Sequence, residues 1–422
     1  MVETLQHWRL AVEVLLAATC LAYVAGILWF RRGICAVQTA SAILNAPPAA
    51  ARPFVSILIA ARDEEESLPA ILDALEDQTY PRDRYEIIVV DDGSVDGTAA
   101  IVEERLSAVA DQDGIGLQLI SVPVDKSSVT GRRSPGSKKI ALQEGIDAAA
   151  GDIILSTDAD CRVPPGWVAG LAGEFANDVG MVVGFSRIGL ESGLLDVRGG
   201  WEAVDFYNLM LAAMGSAGRG HAMAASGQSL GFRRQAFVEV GGYQSVLHRV
   251  SGDDVLLLQL IRRSGDWQIR FCRDAQTTVV HPPSGSWRSL LSQRARWASN
   301  APCQMRLDPI FFAYLSITFL FGLMQVLSPF LLLAGALSAP LLVLVLACKI
   351  AAEWSLLARG MRVFPPPARL RCHYTVWTCL HPFYLLCVGV LGCLGMFSWK
   401  GGSFRWGAWS RGKRSHIAQP DV

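Results

Sequence analysis

The sequence predicts an α/β protein: a cytosolic domain on a mostly parallel sheet, flanked by transmembrane helices. Three observations lead there. Apolar residues make up 51% of the 422 and concentrate at both ends of the chain. Between those ends, short apolar runs alternate with helical stretches, the pattern of a parallel sheet with helices on both faces. Acidic residues recur just after the apolar runs, where open α/β sheets bind ligands. The 38 basic and 38 acidic residues balance, so nothing in the charge indicates a nucleic-acid binder. The ten cysteines show no metal-ligand spacing, and Cys20, Cys348, Cys379, Cys387 and Cys393 lie in apolar runs. Neither a zinc site nor a disulfide framework is expected, and Cys161 would be reduced in a cytosolic domain.

Leu10 to Phe30 is long enough to span a bilayer, has Glu13 as its only charge and ends at Arg31-Arg32. A signal peptide would carry its basic residues before the apolar run and a small-residue cleavage site after it; here the Arg31-Arg32 pair follows the run and no such site is evident. Positive charge at the end of the run places the next residues in the cytoplasm. Residues 1–34 are thus an anchor and 35–53 a linker, rich in Ala and Pro from Ala46 to Pro53. The main domain covers 54–300. Val55 to Ala60 predicts a buried parallel strand, Glu65 to Gln78 its following helix, Tyr85 to Val90 a second strand and Leu117 to Val122 a third. A basic loop, Lys126 to Lys139, precedes a helix over Ile140 to Ala149 and a strand from Ile153.

Leu194, Val197, Trp201, Val204 and Leu211 recur at near-helical spacing. A core-facing helix is expected there, with a helix in the membrane interface as the alternative. Gly218 to Gly231 is crowded with small residues and reads either as a pocket wall approached by a ligand or as a tight core turn. Val255 to Arg263 predicts a helix and Thr277 to Val280 a strand, after which His281 reads as structural. Residues 301–400 form a membrane region: Leu307 to Ala347 suffices for two spans with a break near Ser328-Pro329 or Ser338-Ala339-Pro340. Lys349, Arg359, Arg362, Arg369 and Arg371 then mark a cytoplasmic return, and Ala351 to Phe364 reads as an interfacial amphipathic helix. Tyr374 to Phe397 would cross outward, yet the tail over 401–422, with Lys400 before it, carries Arg405, Arg411, Lys413 and Arg414, which belong inside. Either that run, broken at His381-Pro382, re-enters without crossing, or an earlier helix is not a full span.

The acids carry the chemistry. Asp63 and Glu64 follow the first strand, Asp91 and Asp92 the second, and Asp158 and Asp160 the strand at Ile153. Carboxylates at i, i+2 point to one face and together can hold a hard divalent cation against a polyphosphate. An isolated pair is as readily a solvated turn. Asp96 and Ser94 read as turn or capping residues.

These residues resemble the membrane-embedded branch of the family 2 glycosyltransferases, with the Rossmann-like GT-A fold, which includes cellulose, hyaluronan and poly-N-acetylglucosamine synthases and lipid glucosyltransferases. Val55 to Glu65 is similar to the family's opening strand, Val90-Asp91-Asp92-Gly93-Ser94 to its nucleotide-binding turn, and Asp158-Ala159-Asp160 to its metal motif. Asp63 stands where the family usually has Asn. Ser251-Gly252-Asp253-Asp254 resembles the T-E-D motif, with Gly252 and Asp253 replacing Thr and Glu. Gln293-Arg294-Ala295-Arg296-Trp297 matches Q-x-x-R-W. Trp399-Lys400-Gly401 resembles a bacterial tail, with Gly402 in place of the usual Arg.

The resemblance implies a metal-dependent inverting hexosyltransferase in a bacterial-type cell membrane, its catalytic domain cytosolic. Asp63, Glu64, Asp91, Asp92 and Lys138 would bind the nucleotide of a nucleotide sugar, expected to be UDP-linked, and Asp158 and Asp160 would bind Mg²⁺ or Mn²⁺. Asp254 would be the general base that makes an acceptor hydroxyl nucleophilic. Asp253, Gln293, Arg296 and Trp297 would face acceptor and diphosphate, Arg296 by a bidentate fork and Trp297 by its flat ring. Lys139 and Arg132-Arg133 read equally as a solvated basic loop. The acceptor is expected to be a lipid or another membrane-associated molecule, because the membrane region is small for a channel. A processive polysaccharide synthase is the alternative, and a non-catalytic nucleotide-sugar-binding membrane protein a remote one.

Overall fold

The computed structural model describes residues 2–36, 52–109, 115–122, 137–190, 196–367, 369–399 and 402–404. The linker before residue 52, loop residues 126–136 with Arg132-Arg133, and Lys400 and the tail from Arg405 lie outside them. A long helix, α1 (Val2–Ala36), comes first. Strand and helix then alternate: β1 (Val55–Ala61), α2 (Leu68–Glu76), β2 (Tyr85–Asp91), α3 (Thr98–Val109), β3 (Gly116–Ser121), α4 (Ser137–Ala148) and β4 (Ile153–Asp158). The second half holds α5 (Trp167–Ala172), β5 (Val179–Val183), β6 (Ser186–Ile188), α6 (Val197–Gly218), β7 (Leu230–Arg233) and α7 (Arg234–Glu239). It continues with α8 (Val255–Ser264), β8 (Gln268–Phe271), β9 (Val279–His281) and α9 (Trp287–Ala298). Seven strands form one sheet in the order β3-β2-β1-β4-β7-β5-β8, and β7 alone runs against the rest. Strands β6 and β9 make a small parallel ladder.

Burial follows position in the sheet. β2 is buried at all seven positions, as a central strand covered on both faces must be, whereas the edge strand β3 is fully buried at none of its six. The two faces are not equivalent. One packs α2 and α5 in a core of its own; the other runs from Leu58, Ile88 and Leu142 through α6 into the helices of the two chain ends. α6 is therefore the core-facing helix expected from its spacing, and Gly200 lies against the His373 ring, where a β-carbon would come within 2.4 Å.

After α10 (Ala301–Leu307) come α11 (Pro309–Leu333), α12 (Ala339–Gly360) and α13 (Leu370–Cys393), then the hairpin β10 (Phe397–Trp399) and β11 (Gly402–Phe404). Among the described residues, four helices, α1, α11, α12 and α13, are long and apolar enough to cross a membrane. Lipid-immersed helices gain little from the hydrophobic effect when they meet, so close backbone packing decides. α1 buries Leu16, Cys20, Tyr23, Ile27, Phe30 and Ile34, a stripe with steps of three and four. It crosses α6 at Gly33 and Gly215, where a β-carbon on Gly33 would lie 1.8 Å from the Gly215 carbonyl oxygen.

Of the two breaks expected between the first two C-terminal spans, the one at Ser338-Ala339-Pro340 is found: Pro329 lies inside α11 and the break falls at 334–338. Two other expectations about this region change. Residues 351–360 continue α12 instead of forming a separate interfacial helix. Lys349 is buried mid-helix: its Nζ lies 2.9 Å from Glu353 one turn on and 2.9 Å from Thr378 Oγ1, while the Tyr23 hydroxyl donates to Glu353 at 2.7 Å. α13 is continuous through Pro382 and touches the domain along its length. His373 meets Gly200, Gly392 lies against Ala295 and Ala298, and Ser398 just beyond exchanges hydrogen bonds with Ser292 at 2.7 and 2.8 Å.

Candidate active site

Parallel register sets three strand ends side by side, with Ala61 beside Asp91 and Ala60 beside Asp158. The acids that follow β1, β2 and β4 therefore converge on one edge. Asp63 has φ 51°, the single positive φ outside glycine among the described residues. That backbone region tolerates Asn and Asp better than other side chains, which accounts for one standing where the family has the other. Its N–H donates to Ser94 Oγ at 3.0 Å and its Oδ1 accepts from the Val95 N–H at 2.9 Å, so Asp63 clamps the turn after β2. The Glu64 N–H donates to Thr98 Oγ1 at 2.9 Å. Asp91, buried like Asp92, accepts the Ser94 N–H at 3.0 Å.

Asp158, Asp160 and Cys161 hold their potential ligand atoms within 4.8 Å of one another. Crowding by surrounding protein and the charges of Asp158 and Glu64 push the Asp160 carboxyl, whose side chain is still open to solvent, up to about 6. Burial, with both aspartates, drives the Cys161 thiol well above its ordinary range, so the two carboxylates are the charged donors of the set. What remains is a crowded set of hard oxygen donors whose mutual repulsion a divalent cation would relieve, a fit for Mg²⁺ or Mn²⁺. Lys138 reaches the same acids: its Nζ lies 2.8 Å from Asp158 Oδ1 and 3.1 Å from Asp253 Oδ2. Burial alone would favour the neutral amine, but Asp158 and Asp253 outweigh it and hold Lys138 charged. Lys138 thus bridges the expected metal pair and the Asp253-Asp254 pair.

The second pair is positioned by backbone geometry. Gly252 has φ 90°, and a β-carbon there would come within 2.7 Å of Leu256 and 2.9 Å of Asn300 Nδ2. The usual Thr has no room at this backbone conformation. Asp254 caps α8, accepting the Val255 N–H at 2.6 Å through Oδ1, and its Oδ2 accepts the Gly227 N–H at 3.0 Å. The small-residue segment thus forms a wall of this site at Gly227. Burial would raise Asp253, but Lys138 and Lys139 hold it down at about 2; burial and the neighbouring Asp253 push Asp254 up to about 6. Two adjacent carboxyls with opposite shifts are an arrangement suited to one structural and one proton-accepting role.

Lys139 corrects the solvated-loop expectation: it is buried and donates to the carbonyls of Arg249 and Ser251 at 2.9 and 3.0 Å. Its helix position carries the signal, since Lys139, Leu142 and Ile146 share one face of α4. The same loop is tied to α9. Ser251 Oγ donates to the Arg296 carbonyl at 3.1 Å and Asn300 Nδ2 to Ser251 Oγ at 2.9 Å. Arg296 is drawn down from its ordinary value by burial, against the opposing pull of Asp253, Asp254 and Asp158, which its guanidinium faces. Gln293, nearly one turn earlier, is half-buried.

Trp297, expected to offer its flat ring to the acceptor, is half-buried. The Arg294 guanidinium lies over it at 4.2 Å from the centroid, so one face is taken. Arg294, between the motif's Gln293 and Arg296, is 3% exposed and its Nε lies 3.3 Å from Asp205 Oδ2. Sequence reasoning passes over both Arg294 and Asp205, because the pairing joins residues 89 positions apart. His281 is buried at the same place, its ring edge-on to Phe206 at 4.9 Å. Its Nδ1 lies 3.1 Å from the Pro282 carbonyl, which can only accept, so that nitrogen carries the proton.

Two family models match the chain: Glycosyl transferase family 2 over residues 56–241, and Glycosyl transferase family group 2 over residues 153–390. A probable glycosyltransferase of Bacillus subtilis, YdaM, is 30% identical over 58% of this chain and 54% of its own. An undecaprenyl-phosphate 4-deoxy-4-formamido-L-arabinose transferase of Serratia proteamaculans is 36% identical over 26% of this chain and 30% of its own. A beta-monoglucosyldiacylglycerol synthase of Nostoc is 27% identical over 58% of this chain and 48% of its own. The chain thus spans about half the length, or less, of these curated relatives. The fold is similar to that of the mannosyltransferase PcManGT from Pyrobaculum calidifontis, solved with GDP-Man and Mn²⁺, at 22% identity and a TM-score of 0.57, covering 90% of this chain and 98% of that one. The match over 153–390 takes in the second acidic pair, α9 and three of the long apolar helices together, and on it the chain belongs to Glycosyl transferase family group 2.

Proposed function

We propose that the protein is a membrane-bound, inverting glycosyltransferase that moves a hexose from a UDP-linked sugar to a lipid acceptor. The observation that carries this reading is the meeting of Asp158 with Asp253 through Lys138, which joins a metal-binding pair and a base-bearing pair in one site. Asp91 and Asp92, with the turn that Asp63 clamps, receive the nucleoside, whose N–H and hydroxyl groups need acceptors. Asp158 and Asp160 hold the divalent ion, which when bound supplies positive charge to the diphosphate as it leaves. Arg296 adds a permanent cation facing the same acids.

Asp254 takes the proton of the acceptor hydroxyl while that oxygen attacks the anomeric carbon. The bond to the diphosphate breaks with its electron pair, and one displacement on the opposite face inverts the centre. A carboxyl pushed up to about 6 accepts a proton more readily than an ordinary aspartate yet remains ionised at neutral pH. The half-open Trp297 ring offers one face for the acceptor. A lipid acceptor is supported by the continuity of the domain core with the apolar helices and by relatives named for undecaprenyl phosphate and diacylglycerol. Membranes holding the protein, given labelled UDP-hexoses and Mn²⁺, should form an organic-extractable labelled product. A high-molecular-weight, hydrolase-sensitive product would replace this reading with the polysaccharide synthase.

A further inference from the structure

The proposed acceptor face at Trp297 is held from behind by a buried polar chain that ends on α13. Asp205 of α6 is 4% exposed and receives three groups. Arg294 Nε lies 3.3 Å from its Oδ2, the Trp377 indole N–H donates to Oδ1 at 3.3 Å, and the Tyr384 hydroxyl donates to Oδ2 at 3.2 Å. Both of the last two donors lie on α13. All three guanidinium nitrogens of Arg294 are buried without a hydrogen-bond partner among the described residues, so its contact with Asp205 is an ion pair and not a hydrogen bond. Its guanidinium instead lies over two rings, at 4.2 Å from the Trp297 centroid and 5.4 Å from that of Phe206. A planar cation stacked on an indole and held there by the charge of a buried carboxylate sets the tilt of that indole, which a lysine ammonium would not do.

We infer that Asp205 and Arg294 are positioning residues through which the apolar helix α13 sets the orientation of Trp297 and hence the engagement of a membrane-held acceptor. The inference rests on the glycosyltransferase reading above. Among the described residues neither is hydrogen-bonded or ion-paired to the acids of the site, so the donor half of the reaction is expected to proceed without them. A lipid that repacks α13 would act on acceptor binding through the same chain, which couples acceptor use to the membrane itself.

The test uses the full chain in phospholipid vesicles containing either diacylglycerol or polyprenyl phosphate, with two readouts: transfer to lipid, and acceptor-free release of UDP from the donor in Mn²⁺. Tyr384→Phe, Asp205→Asn, Arg294→Lys and Arg294→Ala are compared with wild type. Tyr384→Phe removes one hydroxyl and guards against a simple folding failure. The expected result is an acceptor KM raised by roughly tenfold to a hundredfold in the Asp205 and Arg294 variants, a smaller rise in Tyr384→Phe, and unchanged acceptor-free UDP release. Arg294→Lys should behave like Arg294→Ala. A lysine variant equal to wild type, a parallel fall of both readouts, or no change in acceptor KM each overturns the inference. A wild-type protein that releases no UDP overturns the glycosyltransferase reading, and one that releases UDP but glycosylates neither lipid overturns the lipid acceptor and this inference with it.

Discussion

Asp254 stands between two opposing demands. Its oxygens accept the N–H groups of Val255 and Gly227, which favour the charged form, yet burial and Asp253 push its carboxyl up to about 6. The proton-accepting form is therefore the one present above that value. Transfer to a hydroxyl acceptor should fall as pH drops through about 6, tenfold for each further unit, while the protein stays folded; a rate flat from pH 7 to 5 would contradict the assignment. Asp158 and Asp160 carry a second prediction. Asp158→Asn and Asp160→Asn should each weaken Mn²⁺-dependent nucleotide binding, by about tenfold or more, as measured by titration calorimetry. Most site residues are legible because acids at strand ends are local in sequence. Arg294 is not, since its partner Asp205 is distant and its main contacts are ring faces.

At the level of elements, strand and helix periods map the sheet well: β1, β2 and the strand at Ile153 begin where expected. Two features escape for physical reasons. Lys349 reads as a flanking charge in the sequence, but Glu353 at i+4 neutralises it inside α12, and a charge paired one turn away no longer marks a helix end. The loop from Arg249 to Gly252 is defined by long-range bonds to Lys139 and Asn300 that no local pattern announces. Its glycine is testable. Gly252→Thr, which installs the residue more usual at this motif, forces a β-branched side chain to φ 90° against Leu256 and Asn300. A loss of about 1–3 kcal/mol in unfolding free energy is expected, with transfer activity reduced, from denaturation in detergent. An equally stable and active variant would show that the loop has another conformation open to it.

For the whole molecule, α6 packs against α1, α12 and α13 and so ties the domain to its apolar helices. Charge counting along the sequence leaves the side of the basic tail undecided, because it assumes that each apolar run crosses. α13 touches the domain at His373 and Gly392, with Ser398 just beyond it on Ser292, and it is these contacts taken with the basic tail on which re-entry is predicted. A reporter fused after Val422 should therefore lie on the same side of the membrane as one inserted in the domain; reporters on opposite sides would restore α13 as a full span. The central claim is that one site unites the metal-held diphosphate with a base at Asp254. Its most direct test is Asp254→Asn, measured for Mn²⁺-UDP affinity and for labelled hexose transfer in one preparation. The account predicts nucleotide affinity close to wild type and transfer reduced by about 10²–10⁴-fold. Transfer near the wild-type rate, with nucleotide binding intact, would contradict it.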